Sequence, residues 1–172
     1  SSLAYKVIKR GFLIFLIGFL LNIYPFIEPM ESWRIMGVLQ RIGITYVLAA
    51  FIVLSFKQRN VWLIALIILL IYPVILMSVG EGAYSLEHNL VGQIDVAILG
   101  ASHIYNGMGV PFDPEGLLST LPSIVSVLIG FEVTRFISQI ENKHQSMIKL
   151  LQLGAIALLI GLLLDVIVPI NP

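Results

Sequence analysis

Residues 61–79 read Val61-Trp-Leu-Ile-Ala-Leu-Ile-Ile-Leu-Leu-Ile-Tyr-Pro73-Val-Ile-Leu-Met-Ser-Val79, nineteen positions without a charge. A spanning helix needs about 20 mostly apolar residues, so this run is about as long as a bilayer is thick. Pro73 predicts a kink, tolerated where neighbouring helices satisfy the freed backbone groups. Working outward, four further blocks have the same character, at residues 7–27, 34–56, 117–137 and 149–168. The expectation is an all-α integral membrane bundle of about five transmembrane helices. It forms a single transmembrane domain over residues 1–172 and part of a larger bundle.

Composition agrees with that reading. The chain is 58% apolar and 12% charged, with a mean hydropathy of +0.98. Ordinary soluble domains run at about 45–50% apolar and about 25% charged. Formal net charge is zero, which argues against a nucleic-acid partner and leaves the lipid bilayer as the first one. With no cysteine, disulfide and thiol chemistry are excluded. Lys6, Lys9 and Arg10 precede the first apolar block, but no small-residue cleavage site follows it, so the block does not read as a convincing signal peptide.

Charge asymmetry orients the spans. Lys6, Lys9, Arg10, Lys57, Arg59, Arg135, Lys143 and Lys149 fall on one side if the spans alternate, eight of the ten basic residues. Glu28, Glu31, Glu81, Glu87, Asp95, Asp113, Glu115 and Asp165 fall on the other. The basic side is the cytoplasmic one, so residue 1 is expected inside and residue 172 outside.

The outer connection at 80–116 is long for a loop and contains neither Lys nor Arg. Its middle, Asn89 to Leu99, spaces Leu90, Ile94, Val96, Ala97 and Ile98 like a short amphipathic helix. Two readings apply: a helix packed on the bundle at the outer surface, or a wall over an outward-facing pocket.

Ionisable residues inside a span are costly and face a cavity or a partner. Arg41 is the clearest case, about seven residues inside the second block. Arg34, Gly37, Arg41 and Thr45 recur at three- and four-residue steps and would share one helix face. Arg41 either locks two helices by pairing with an acid such as Asp113 or Glu115, or holds an anionic group in its planar fork. Gln40 adds a neutral donor and acceptor on an adjacent face. Asp113 and Pro114 suit a helix N-terminus opening the fourth span, with Asp113 as cap and Glu115 near the positive end of the dipole. Glu132 and Arg135, three apart, read as a pair at the inner interface. His144 reads as solvated, His88 has no partner by spacing, and His103 lies near the outer acids. No metal-ligand spacing and no phosphate-binding glycine loop is present.

Three strings carry a resemblance: Arg34-Ile-Met-Gly37-Val-Leu-Gln40-Arg41-Ile42, Asn89-Leu-Val-Gly92-Gln-Ile-Asp95, and Asp113-Pro-Glu-Gly-Leu-Leu-Ser-Thr-Leu-Pro122. In order and spacing they resemble the heparan-α-glucosaminide N-acetyltransferase family and its bacterial homologues, over nearly the whole chain. The resemblance implies a membrane-bound acyltransferase of a bacterial cytoplasmic membrane. It would move an acetyl group from cytoplasmic acetyl-CoA to an amino sugar or glycan on the far side. By motif match the substrate-binding candidates are Gln40, Arg41, Asn89, Asp95, Asp113 and Glu115. The family's acetyl-transfer histidine belongs to an upstream motif that these residues do not match. The chain is therefore expected to be an internal piece, inactive alone and prone to homo-oligomer formation. Two rivals stay open: an amino-sugar or oligosaccharide transporter, and a non-catalytic structural bundle. Acetyl-CoA-dependent labelling separates the first reading from both, and counterflow of unmodified sugar singles out the transporter.

Overall fold

A computed structural model describes residues 2–78, 85, 88–107 and 109–165. Six α-helices follow one another: α1 (Ser2–Ile23), α2 (Val38–Ser55), α3 (Gln58–Met77), α4 (Leu90–Leu99), α5 (Thr120–Ser138) and α6 (Lys143–Asp165). Short 3-10 turns lie at Met30–Ser32 and Ala101–His103, and no strand occurs among the described residues. The all-helical expectation holds. Helices α2, α3, α5 and α6 are long and apolar enough to cross a membrane. At 22 residues α1 is equally long, with Lys6, Lys9 and Arg10 in its first three turns. The end of the third expected span at Val79, the end of the fifth at 166–168, and Glu81 and Glu87 lie outside the described residues.

Two compact units divide the chain, Ser1–Ile129 and Gly130–Pro172, and the division falls within α5. In the first unit α1 packs along α2 through small residues. A β-carbon on Gly43 would come within 2.7 Å of the Gly11 carbonyl oxygen, so the two backbones are in direct contact there. Gly18, two turns further along α1, is buried as well. Hydrocarbon supplies no hydrophobic drive between helices, so such close backbone packing is how membrane helices associate. Ala49 of α2, Val61 and Ala65 of α3, and Ile124, Val125 and Leu128 of α5 form the apolar core. Outside it, Leu66, Leu70 and Val74 of α3 are exposed, as a lipid-facing surface would be. α3 runs on through Pro73 to Met77.

In the second unit Lys149 of α6 lies over the Phe136 ring at 5.6 Å. Glu132 Oε1 and Arg135 Nη1, one turn apart, are 3.8 Å from each other. The side chain of Asn142 caps α6 by accepting from the backbone N–H of His144 at 2.9 Å.

Three local expectations need correction. α2 starts at Val38, because Gly37 is fully extended at φ −179° and ψ −179°. Arg34 therefore stands outside the helix, and Arg41 is its fourth residue rather than seven residues deep. α5 starts at Thr120, so Asp113 and Pro114 belong to the turn before it. The helix at 90–99 forms where the apolar spacing places it, yet its buried residues are Val91, Gly92 and Asp95, while Ile98 is exposed. Asp95 turns inward because a backbone donor on the pre-α5 turn awaits it.

Candidate functional site

The segment 113–119 is irregular backbone, and its polar groups are satisfied from three directions. Its own side chains close the first set. Asp113 Oδ1 accepts from the Glu115 backbone N–H at 3.1 Å, and Ser119 Oγ donates to the Pro114 and Gly116 carbonyls at 3.1 and 3.0 Å. Thr120 Oγ1 donates to the Gly116 carbonyl at 2.9 Å.

The extended segment before α2 supplies the second set. Arg34 Nε donates to Asp113 Oδ2 at 3.0 Å and Nη2 to Asp113 Oδ1 at 2.7 Å, a two-point grip on a fully buried carboxylate. The same Nη2 reaches Glu115 Oε2 at 2.8 Å. The hydrogen bond to Asp113 raises the Arg34 pKa, against the cost of burial, so its charge is secure. Tyr105 places its ring 5.2 Å from the guanidinium. The Arg34 segment is itself held. Ile35 N–H donates to the His103 carbonyl at 3.0 Å, and the Trp33 carbonyl lies 2.8 Å from His103 Nδ1. A carbonyl only accepts, so Nδ1 of His103 carries the proton.

Helices α2 and α4 supply the third set. Arg41 Nε and Nη2 both donate to Ser123 Oγ, Nη1 to the Pro114 carbonyl at 3.3 Å and Nη2 to the Ser119 carbonyl at 3.2 Å. Asp95 Oδ1 accepts from the Leu117 N–H at 2.8 Å. Asp95 Oδ2 lies against the Gly116 backbone, where any β-carbon would overlap it. Burial pushes the Asp95 carboxyl pKa up and the nearby charge of Asp113 adds to that, while the Leu117 N–H works the other way.

Four of the six candidates, Arg41, Asp95, Asp113 and Glu115, thus meet on one turn. Asn89 does not join them. It caps α4, its Oδ1 accepting from Gly92 N–H at 2.7 Å and its Nδ2 donating to Ser85 O at 2.8 Å. Gln40 is fully buried against Gly18 and Gly37, and its amide atoms have no hydrogen-bond partner among the described residues. The expected pairing of Arg41 with an acid is not formed. Arg34 stands nearer those acids and takes them, and Arg41 locks α2 to α5 through carbonyls and a serine instead. Arg34 and Tyr105 were absent from the candidates. One signal points to Arg34: of the ten basic residues, it and Arg41 are the two that fall outside the group of eight that alternating spans would gather on one side.

Fold and site together define an integral membrane helical bundle with an ion-paired, fully braced turn beside its first core helix. The chain belongs to the heparan-alpha-glucosaminide N-acetyltransferase catalytic family, whose pattern it matches over residues 2–164. It is also 27% identical, over 77% of its length, to the human heparan-alpha-glucosaminide N-acetyltransferase. The alignment covers 27% of that relative, so the chain spans about a quarter of its length.

Proposed function

We propose that the intact protein moves an acetyl group from cytoplasmic acetyl-CoA to the amine of an amino sugar on the far side of a bacterial cytoplasmic membrane. The family match over residues 2–164 carries this reading. Over the whole reaction the acetyl carbon exchanges its bond to the sulfur of CoA for one to the amine nitrogen, and the proton that the amine gives up balances the thiolate released. The residues described here act on the acceptor side. Asp113 anchors Arg34, Asp95 and Arg41 hold the 113–119 turn against α4 and α5, and Asn89 fixes the start of α4. Glu115 is the carboxylate of this group with solvent access. Gln40, fully buried, has an amide with no hydrogen-bond partner among the described residues; an amide N–H is the type of donor that stabilises charge developing on an acyl oxygen.

The test uses sealed vesicles of the intact protein with labelled acetyl-CoA on the cytoplasmic face and glucosamine on the other. Labelled N-acetylglucosamine is expected on the glucosamine side. Exchange of unmodified glucosamine across the membrane, with no acetylation, would make the protein a transporter.

A further inference from the structure

At the solvent-accessible edge of the braced turn, one nitrogen of Arg34 and one oxygen of Glu115 are left over. Asp113 has both oxygens engaged and no solvent access. Glu115 uses only Oε2 and Arg34 uses only Nε and Nη2. Glu115 Oε1 and Arg34 Nη1 therefore have no hydrogen-bond partner among the described residues, and their side chains stay 20% and 29% exposed. Both groups are held in place by the buried carboxylate behind them, so little ordering is left for a ligand to bring about. Tyr105, an exposed residue, stands beside the guanidinium with the hydroxyl end of its ring packed against Gly107.

We propose that Arg34, Glu115 and Tyr105 form a pyranose-binding edge that takes a vicinal diol of the sugar acceptor. Arg34 Nη1 donates to one ring hydroxyl, Glu115 Oε1 accepts from its neighbour, and the Tyr105 ring meets the apolar C–H face of the sugar. An amine bound at Glu115 would be kept protonated and unreactive, whereas a diol bound there leaves the amine free to attack. This assignment rests on the acetyl-transfer reading and names how that acceptor is held. It also makes Arg34 and Tyr105 specificity-determining residues.

The experiment compares the intact protein with Glu115→Gln and Tyr105→Leu, by transfer kinetics and by equilibrium binding of labelled glucosamine. Glu115→Gln keeps an oxygen for Arg34 but can turn the open acceptor into a donor. We expect KM for glucosamine to rise about tenfold, the equivalent of one lost hydrogen bond, with kcat and thermal stability little changed. Deoxy analogues lacking the 3- or the 4-hydroxyl sharpen the test. The one that contacts Glu115 binds the unaltered protein weakly and loses nothing further in Glu115→Gln. An unchanged KM in both variants would overturn the assignment, and so would a lowered melting temperature with unchanged KM. If the unaltered protein transfers no acetyl group, the functional reading fails by itself. Glucosamine binding that Glu115→Gln weakens would then still uphold the edge, and its absence would overturn that too.

Discussion

Two arginine–carboxylate pairs sit in the two units of this chain, and they differ in almost every respect. Arg34 and Asp113 are 79 residues apart, joined at two points at 2.7 and 3.0 Å, with the carboxylate fully buried. Arg135 and Glu132 are one helical turn apart at 3.8 Å, and the Arg135 side chain is 43% exposed. The first pair brings together segments that nothing in local sequence joins, and a turn, an aromatic ring and a second carboxylate are organised around it. The second spans one turn of a helix that exists without it. Both carboxylates are buried, so separation along the chain and the closeness of the grip, more than charge or burial, decide what an ion pair does for a fold.

The sharpest way to break this contrast is to remove Asp113. Asp113→Ala leaves Arg34 part-buried without its two-point partner, and breaking such a pair costs about 3 kcal/mol. Thermal unfolding of the purified protein in detergent should show a loss of that order. A loss below about 1 kcal/mol would place the pair with ordinary surface contacts. Next in size is Gly116→Ala, whose β-carbon must displace the Asp95 carboxyl and break its bond to Leu117. Overpacking of this kind costs about 2 kcal/mol. In an Asp95→Ala background the same change should cost much less, and a double-mutant cycle measures that difference directly. Equal costs in both backgrounds would show that Gly116 answers to another neighbour.

The helices were legible from apolar run length alone, since a bilayer fixes that length; α3 is the plainest instance. The ends were not. Gly37 breaks the second block three residues after Arg34, and the run of apolar residues around it hides the break. The pre-α5 turn was misread for a related reason. Asp113-Pro-Glu is good helix-start chemistry, but the tertiary demand of Arg34 on Asp113 outweighs local capping. Burial of Asp95 on α4 was equally hidden, because its partner is a backbone N–H 22 residues away. The candidate site was legible as a set of residue types, and four of its six members do meet. Arg41 does lock helices, but through carbonyls and a serine, while Arg34, to which the sequence assigns no role, takes the acids. Sequence position cannot reveal which of two cations reaches a given acid.

A smaller effect separates the buried carboxyl of Asp95 from the solvated acids. Its pKa is raised in the folded protein, chiefly by burial. A raised carboxyl pKa contributes stability that is fully present below the unfolded value and is lost as pH rises through the folded one. Asp95→Asn keeps an oxygen for the Leu117 N–H and removes the titration. The melting temperature of the unaltered protein should therefore fall relative to Asp95→Asn on going from acidic to neutral pH. Parallel curves would mean that burial does not raise the carboxyl's pKa above its unfolded value.

The smallest effect belongs to the local pair. Arg135→Ala removes a half-exposed guanidinium that lies 3.8 Å from Glu132 Oε1, beyond good hydrogen-bond length. Glu132 itself is buried, which would by itself suggest a costly loss. Against that, the arginine reaches water, pays side-chain entropy to hold its place, and pairs within one helix turn. A pair within one helix whose cation reaches water is expected to be worth little more than exposed pairs, about 0.3–0.5 kcal/mol. The expected shift in melting temperature is therefore near the limit of measurement and several-fold smaller than for Asp113→Ala. Raising the salt concentration should reduce it further, because the arginine end is open to solvent. A loss as large as that of Asp113→Ala, unaffected by salt, would show that Glu132 depends on Arg135 for its burial, and the contrast between the two pairs would fail.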